Sequence, residues 1–195
     1  MGRYPGDLTT DVYGFNIDEL KVGLIDFGSP IAADEDGILD NAATDSTNPT
    51  SYPTESVQFL AQPDVPRGLT FKPSSSADAG GLIVVEGLDY EGKPITEEVA
   101  TNAGNKVATT YAFKKVTKIT FPADSSGIFW DVGWGNNLGL PLKFASKPLV
   151  LEYDDGVLKT TTGTITIDAD VLAKNTYAPN ATVDENSPIK LIIFL

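Results

Sequence analysis

The chain has 195 residues, of which 41% are hydrophobic and 21% charged, enough for a compact domain to bury roughly 70% of its unfolded surface and too apolar for general disorder. It contains no cysteine and no histidine, which excludes disulfides, thiolate metal sites, thiol nucleophiles and every Ser-His-Asp arrangement. The chemistry that survives for an enzyme is paired carboxylates, a lysine base or an oxygen-ligated metal.

The net charge is −13, and residues 1–64 carry 12 Asp and Glu against 2 Lys and Arg, while residues 65–195 carry 15 against 12. Such acidity repels phosphate backbones, so no nucleic-acid partner is expected. The acid either keeps a β-rich protein soluble or docks on a basic partner. No apolar run reaches the length of a membrane span, and Met1-Gly2-Arg3-Tyr4-Pro5 lacks the apolar centre of a signal peptide, so neither a leader nor a membrane partner is expected. The Met-Gly start matches a myristoylation signal poorly, because Gly6 stands where that signal has Ser or Thr.

In chain order, residues 1–19 read as an extended arm: Gly, Pro and Asp punctuate them, and the aromatics Tyr4, Tyr13 and Phe15 follow no period. These three are candidate contacts to a partner. A strand follows over 18–27 and stops at Gly28-Ser29-Pro30. Residues 33–54 are polar and turn-rich, with Pro49 and Pro53, and read as a long loop with a task or a partner to lie on. Its Asp34-Glu35-Asp36-Gly37 and Asp40 suggest calcium, but aligning Gly37 with the EF-hand glycine puts Ala32 and Ala43 at ligand positions. An Asp-Gly turn is the default there, a looser calcium site the alternative.

Short strands with turn clusters between them are then expected at 55–60, 68–72, 81–87, 95–101, 114–121, 127–134, 142–144, 148–153, 157–162, 164–168 and 189–195. Asp155-Gly156 is the strongest hairpin signal. Helix is confined to one turn over 170–175, capped by Asp170 and closed by Asn175. The pattern gives an all-β fold, an antiparallel β-sandwich or barrel-like domain with an extended N-terminal arm and long loops. Its division is arm 1–19 and one β-rich domain 20–195, the latter with an acidic segment 20–61 and a core 62–195.

The organising stretch is 127–142, which holds both tryptophans. Alternation puts Trp130, Val132 and Trp134 on one strand face and Phe129, Asp131 and Gly133 on the other. Gly135-Asn136-Asn137 supplies residues that tolerate positive φ, so a hairpin or tight corner is expected there. Paired tryptophans on one face suit a sandwich core, an oligomer interface or a sugar-stacking platform; as interface candidates, Trp130 and Trp134 join the arm aromatics. The apolar run 188–195 must lie inside a sheet or pair across a subunit boundary, since a free edge of that kind aggregates.

No catalytic constellation emerges. Glu97 and Glu98 point to opposite faces of a strand, Asp154-Asp155 fall at a hairpin tip, and nothing fixes the separation of Asp131 and Glu152, the one glycosidase-like pair near the tryptophans. Gly133-x-Gly135-x-x-x-Gly139 has the wrong spacing for a dinucleotide fingerprint, and Pro141 blocks the helix it needs. The sequon at Asn180-Ala181-Thr182 has no secretory context. No cofactor and no metal are expected.

Several stretches together resemble a recurrent family of tailed-bacteriophage virion proteins. They are Gln62-Pro63-Asp64-Val65-Pro66-Arg67 with Leu69-Thr70, Ile83-Val84-Val85-Glu86-Gly87-Leu88-Asp89, Gly92-Lys93-Pro94-Ile95-Thr96-Glu97-Glu98, Ala112-Phe113-Lys114-Lys115-Val116-Thr117-Lys118-Ile119-Thr120 and Val132-Gly133-Trp134-Gly135-Asn136-Asn137-Leu138-Gly139-Leu140-Pro141. Asp155-Gly156-Val157 and the closing strand also fit, so the resemblance spans residues 62–195. It implies a structural, non-enzymatic component of the virion with no catalytic residues to carry over. The expected role is a capsid decoration (cement) protein on the capsid surface whose partners are the major capsid protein and its own copies, as a trimer or dimer. Its arm and 33–54 loop would drape over neighbouring capsomers. A tail-tube or other tail structural protein, and a carbohydrate-binding virion module, are the alternatives.

Overall fold

The computed structural model describes residues 21–76, 80–124 and 127–194, and among them every strand pairing is antiparallel. The all-β expectation holds. The strands are β1 (Val22–Asp26), β2 (Asp34–Ala43), β3 (Thr50–Pro53), β4 (Arg67–Pro73), β5 (Leu82–Leu88), β6 (Pro94–Ala100), β7 (Val107–Phe113), β8 (Lys115–Phe121), β9 (Phe129–Gly139), β10 (Leu149–Asp154), β11 (Val157–Leu158), β12 (Thr164–Thr166), β13 (Thr176–Ala178) and β14 (Ile189–Phe194). They form a four-stranded sheet β1-β14-β10-β11, a second four-stranded sheet β3-β8-β5-β6, and a six-stranded sheet β12-β13-β9-β4-β7 in which β2 also pairs with β9.

The eleven residues of β9 are the shared spine. One of its edges pairs with β4 from Trp130 to Leu138; on the other, β2 takes Phe129 to Trp134 and β13 takes Leu138 and Gly139. Trp130, Val132 and Trp134 pack with Ile83, Val85, Ile119 and Phe121 into a first core between the six-stranded sheet and β3-β8-β5-β6. Leu138 and Leu140 pack with Val150, Tyr177, Ile189, Leu191 and Ile193 into a second core beneath β1-β14-β10-β11.

The hairpin expected at Gly135-Asn136-Asn137 does not form. Between the pairs Leu69↔Trp134 and Arg67↔Leu138, β9 advances four residues while β4 advances two, so the positions that could turn the chain form a bulge. The excess is two, which leaves the side-chain alternation in phase and lets even-numbered residues face both cores.

The 33–54 loop is likewise corrected. Most of it is β2 and β3, because Ile38, Leu39, Ala42 and Tyr52 are buried while the acids between them point outward. The polar composition hid a strand whose register shifts twice against β9, with Asn41 at φ +49° at the second shift. The Asp36-Gly37 turn is absent too: Gly37 lies in β2 against Trp134, where a Cβ would come within 2.6 Å of the indole. Gly133 has the same role from the other side, since a Cβ there would fall 1.8 Å from the Asp34 carbonyl oxygen. Residues 55–60 and 142–144 are not strands. Conversely β7 and β13 were not expected: Thr109, Thr110 and Thr176 interrupt their apolar pattern.

Two local expectations hold. Asp155 and Gly156 take φ +48° and +77° between β10 and β11, the paired left-handed conformation that a two-residue hairpin turn requires. The apolar run near the C-terminus becomes β14, an internal strand between β1 and β10 with Ile189, Leu191 and Ile193 fully buried, so its edges are satisfied within the chain. The helical turn shrinks to a 3-10 turn at Leu172–Lys174; Asn175 closes it as expected, but Val171 takes the N-cap position without a side-chain cap. Asp168 Oδ1 instead accepts from the amides of Asp170 and Val171.

The close approach of β2 to Gly133 gives a direct test. Gly133→Ala should force β2 off β9 and lower unfolding free energy by about 3 kcal/mol, whereas Gly23→Ala, with open space around it, should change it by less than about 0.5 kcal/mol. Urea denaturation of both variants measures this; equal midpoints would contradict the packing.

Candidate functional site

The sequence nominated five interface residues. Tyr4, Tyr13 and Phe15 lie outside the described residues. Trp130 and Trp134 are 1% and 4% exposed, so of the three roles open to them the core is the one they occupy. Trp130 stacks on Phe121 at 5.7 Å between ring centroids, and its Nε1 has no hydrogen-bond partner, which makes it a packing residue. Trp134 donates from Nε1 to the Ala32 carbonyl oxygen at 3.0 Å. Neither ring can meet a partner or a sugar without the first core opening.

The acidic residues resolve into structural roles. Glu152 is fully buried and accepts four hydrogen bonds: from Tyr177 Oη at 2.6 Å and from the amides of Gly163 at 2.7 Å, Asn180 at 3.1 Å and Ala181 at 2.6 Å. Burial works to raise its pKa, but the bonds from Tyr177, Asn180, Ala181 and Gly163 outweigh it and hold the carboxyl below its ordinary range. The Tyr177 phenol is pushed up, first by burial and then by its bond to Glu152. This cluster pins β10 to the segments flanking β12 and β13. Nothing in the sequence around Glu152 marked it as the hub, because its donors come from 11 to 29 residues away.

Arg67 is the second polar hub. It is fully buried, donates from Nη2 to the Ile31 carbonyl oxygen at 2.5 Å and lies 3.1 Å from Asp64 Oδ1 through Nε. Asp64 Oδ2 accepts from the Ile31 amide at 2.8 Å, so one ion pair clips the β1–β2 connection to β4. Glu97, the inward member of the Glu97-Glu98 pair, accepts from the amides of Thr110 and Tyr111 and from Thr110 Oγ1, tying β6 to β7 across two sheets. Asp131 accepts from the Asn41 amide on the outer side of β9, whereas Glu152 faces the second core, so the glycosidase-like pair does not converge.

In the 34–40 segment, the Glu35 carboxylate binds Lys72 at 2.7 Å and Lys106 at 3.0 Å, which hold its pKa down to about 2. Asp36 is raised, chiefly by a hydrogen bond with Asp34. Among the described residues no group of three or more acids converges on a point where an ion could bind.

The surface feature that sequence reasoning missed is the outer face of β1-β14-β10-β11. Cross-strand registers align Val22, Phe194 and Leu149 in one row and Leu24, Ile192 and Leu151 in the next. A third row holds Asp26, Lys190, Tyr153 and Leu158. Val22, Leu24, Leu149 and Leu158 are 58%, 67%, 64% and 49% exposed. Their apolar character was legible, but only the register shows that they share one face. At the Val22–Leu149 end lies a cleft of about 260 Å³, lined by residues including Lys143, Ser146, Lys147 and Phe194.

Compared with family models, curated proteins and solved structures, the chain matches none.

The Glu152 hub yields a pH-dependent expectation. Its folded pKa lies below its unfolded value, so its contribution is present above the ordinary carboxylate range near pH 4.3 and is lost as pH falls through the folded value. Glu152→Gln should lower stability at pH 7 by about 3 kcal/mol, because an amide NH2 would face backbone donors. Thermal melts should then show the variant and the wild type converging as pH falls from about 5 to 2. A constant gap across that window would contradict the lock.

Proposed function

We propose that this chain is a capsid decoration (cement) protein of a tailed bacteriophage, which binds the outer surface of the major capsid shell and stabilises it as a dimer or trimer. The resemblance that suggests this reading covers residues 62–195, the part of the sequence that supplies β4 through β14. The observation that supports it most is the use made of the buried acids. A protein without histidine or cysteine would draw on such carboxylates for chemistry, yet Glu152 is committed to Tyr177 and three backbone amides, and Asp89 accepts from the Lys93 amide in the β5–β6 turn. Groups held in this way brace sheets and turns.

The way such a protein would hold the shell differs from the sequence expectation in one respect. The 33–54 segment is built into two sheets as β2 and β3, so it is not available as a strap. Gripping is left to the remaining surface and to residues 1–19. Acid concentrated in residues 1–64 complements basic patches on a shell.

The test is co-sedimentation of the purified chain with expanded shells assembled from the major capsid protein of the same phage. Saturable binding at a fixed copy number, with a raised temperature of shell disruption, is expected. Failure to bind, or assembly of the isolated chain into open rings in micrographs, would contradict this function.

A further inference from the structure

Five of the ten exposed large hydrophobic residues among those described, Val22, Leu24, Leu149, Val157 and Leu158, lie on the sheet β1-β14-β10-β11. Four of them join Ile192, Phe194, Leu151 and Tyr153 on its outer face. A contiguous apolar face on a soluble surface marks a binding surface. The charges around it identify what it binds.

β1 and β10 both run antiparallel to β14 and therefore share one direction. Lys21 precedes β1 and Lys147 precedes β10, at the end of the sheet where Lys143 and Lys147 line the cleft. At the opposite end, Asp26 closes β1 and Asp154 and Asp155 close β10. Lys190 already pairs with Asp26 and Lys159 with Asp154, which leaves Asp155 as the exposed acid of that end. The face is thus apolar in the middle, basic at one end and acidic at the other.

We propose that this face binds the same face of a second copy of the chain, through a two-fold axis that lies in the interface plane and runs perpendicular to the strands. That rotation reverses the strand direction, so Lys147 of one copy meets Asp155 of the other. The middle row then faces itself: Leu24 on Leu24, Ile192 on Ile192, Leu151 on Leu151. Alignment along the strands would instead set like charges over like. An isologous contact repeats each favourable pairing twice.

The size of the face sets the strength. Four strands spaced about 4.8 Å apart and five residues long make a patch of roughly 20 Å by 17 Å, less than half of the about 800 Å² per partner found in stable complexes. The dimer is therefore concentration-dependent and forms most readily where copies are held close together. The inference deepens the self-association part of the proposed function and does not depend on capsid binding.

Sedimentation velocity of the full chain, from micromolar to near-millimolar concentration, should show a monomer–dimer equilibrium. The double variant Leu24→Asp, Leu149→Asp changes only exposed positions and should weaken it at least tenfold with an unchanged denaturation midpoint. The chain has no cysteine, so single introduced thiols and a short bis-maleimide read the symmetry directly. Leu24→Cys should crosslink to itself, Lys147→Cys should not, and a mixture of Lys147→Cys with Asp155→Cys should give the mixed dimer. A monomer at every concentration would overturn the proposal, including one whose face binds a hydrophobic dye only after residues 1–20 are removed, which would assign the face to that segment. So would a dimer indifferent to the double variant, or self-crosslinking at Lys147→Cys. A dimer that ignores the shell would remove the capsid reading alone, and a shell-binding chain that stays monomeric in solution would remove this inference alone.

Discussion

The length and double occupancy of β9 constrain everything else in this fold. A strand of ordinary length serves one core, but β9 reaches both, presenting Trp130, Val132 and Trp134 to the first and Leu138 to the second. This is possible because the extra residues at Gly135-Asn136-Asn137 come as a pair and preserve the alternation. One extra residue would have turned Leu138 to solvent and left the inner faces of β10 and β14 without a floor. The glycines of the neighbourhood answer to the same strand: Gly133 lets β2 lie against it, and Gly37 makes room for the Trp134 ring.

Polar hubs fasten what the strand pairing leaves loose. Arg67 with Asp64 holds the β1–β2 connection, Glu97 joins β6 to β7, and Glu152 gathers Tyr177 with the amides of residues 163, 180 and 181. In each case a charged group is withdrawn from water, wholly or in part, and set against several dipoles or an opposite charge; this outweighs the desolvation penalty for Glu152 and only partly offsets it for Arg67, whose Nη1 has no partner and whose pKa burial lowers. The outcome is a body whose buried charges are occupied in holding sheets together. That property suits the adhesive role proposed for the chain.

Much of the architecture could be read from residues alone. Alternation located β4, β5, β6, β8 and β10, Asp155-Gly156 located its hairpin, and the unbroken apolar run Leu191-Ile192-Ile193-Phe194 called for a place inside a sheet or across a subunit boundary, of which β14 takes the first. The failures have physical causes. Gly135-Asn136-Asn137 carries local turn chemistry that pairing to β4 overrides. β2 looked like a loop because its bulges scatter Ile38, Leu39 and Ala42 out of a strict period of two. The site was the least legible part. Trp130 and Trp134 were rightly placed on one face but could not be assigned to core or surface before their neighbours were known. The apolar sheet face is assembled from residues 22–24, 149–158 and 192–194 by register alone.

The central claim is that the two cores stand or fall together because one strand belongs to both. Native-state hydrogen exchange measures this most directly, by comparing the opening free energies of slow amides in β4 and β8 with those in β10 and β14. The account expects a single value, equal to that of global unfolding, for the slowest amides of both cores. A distinctly lower value for β10 and β14, with β4 and β8 still protected, would mean that the second core opens alone and that β9 does not couple them.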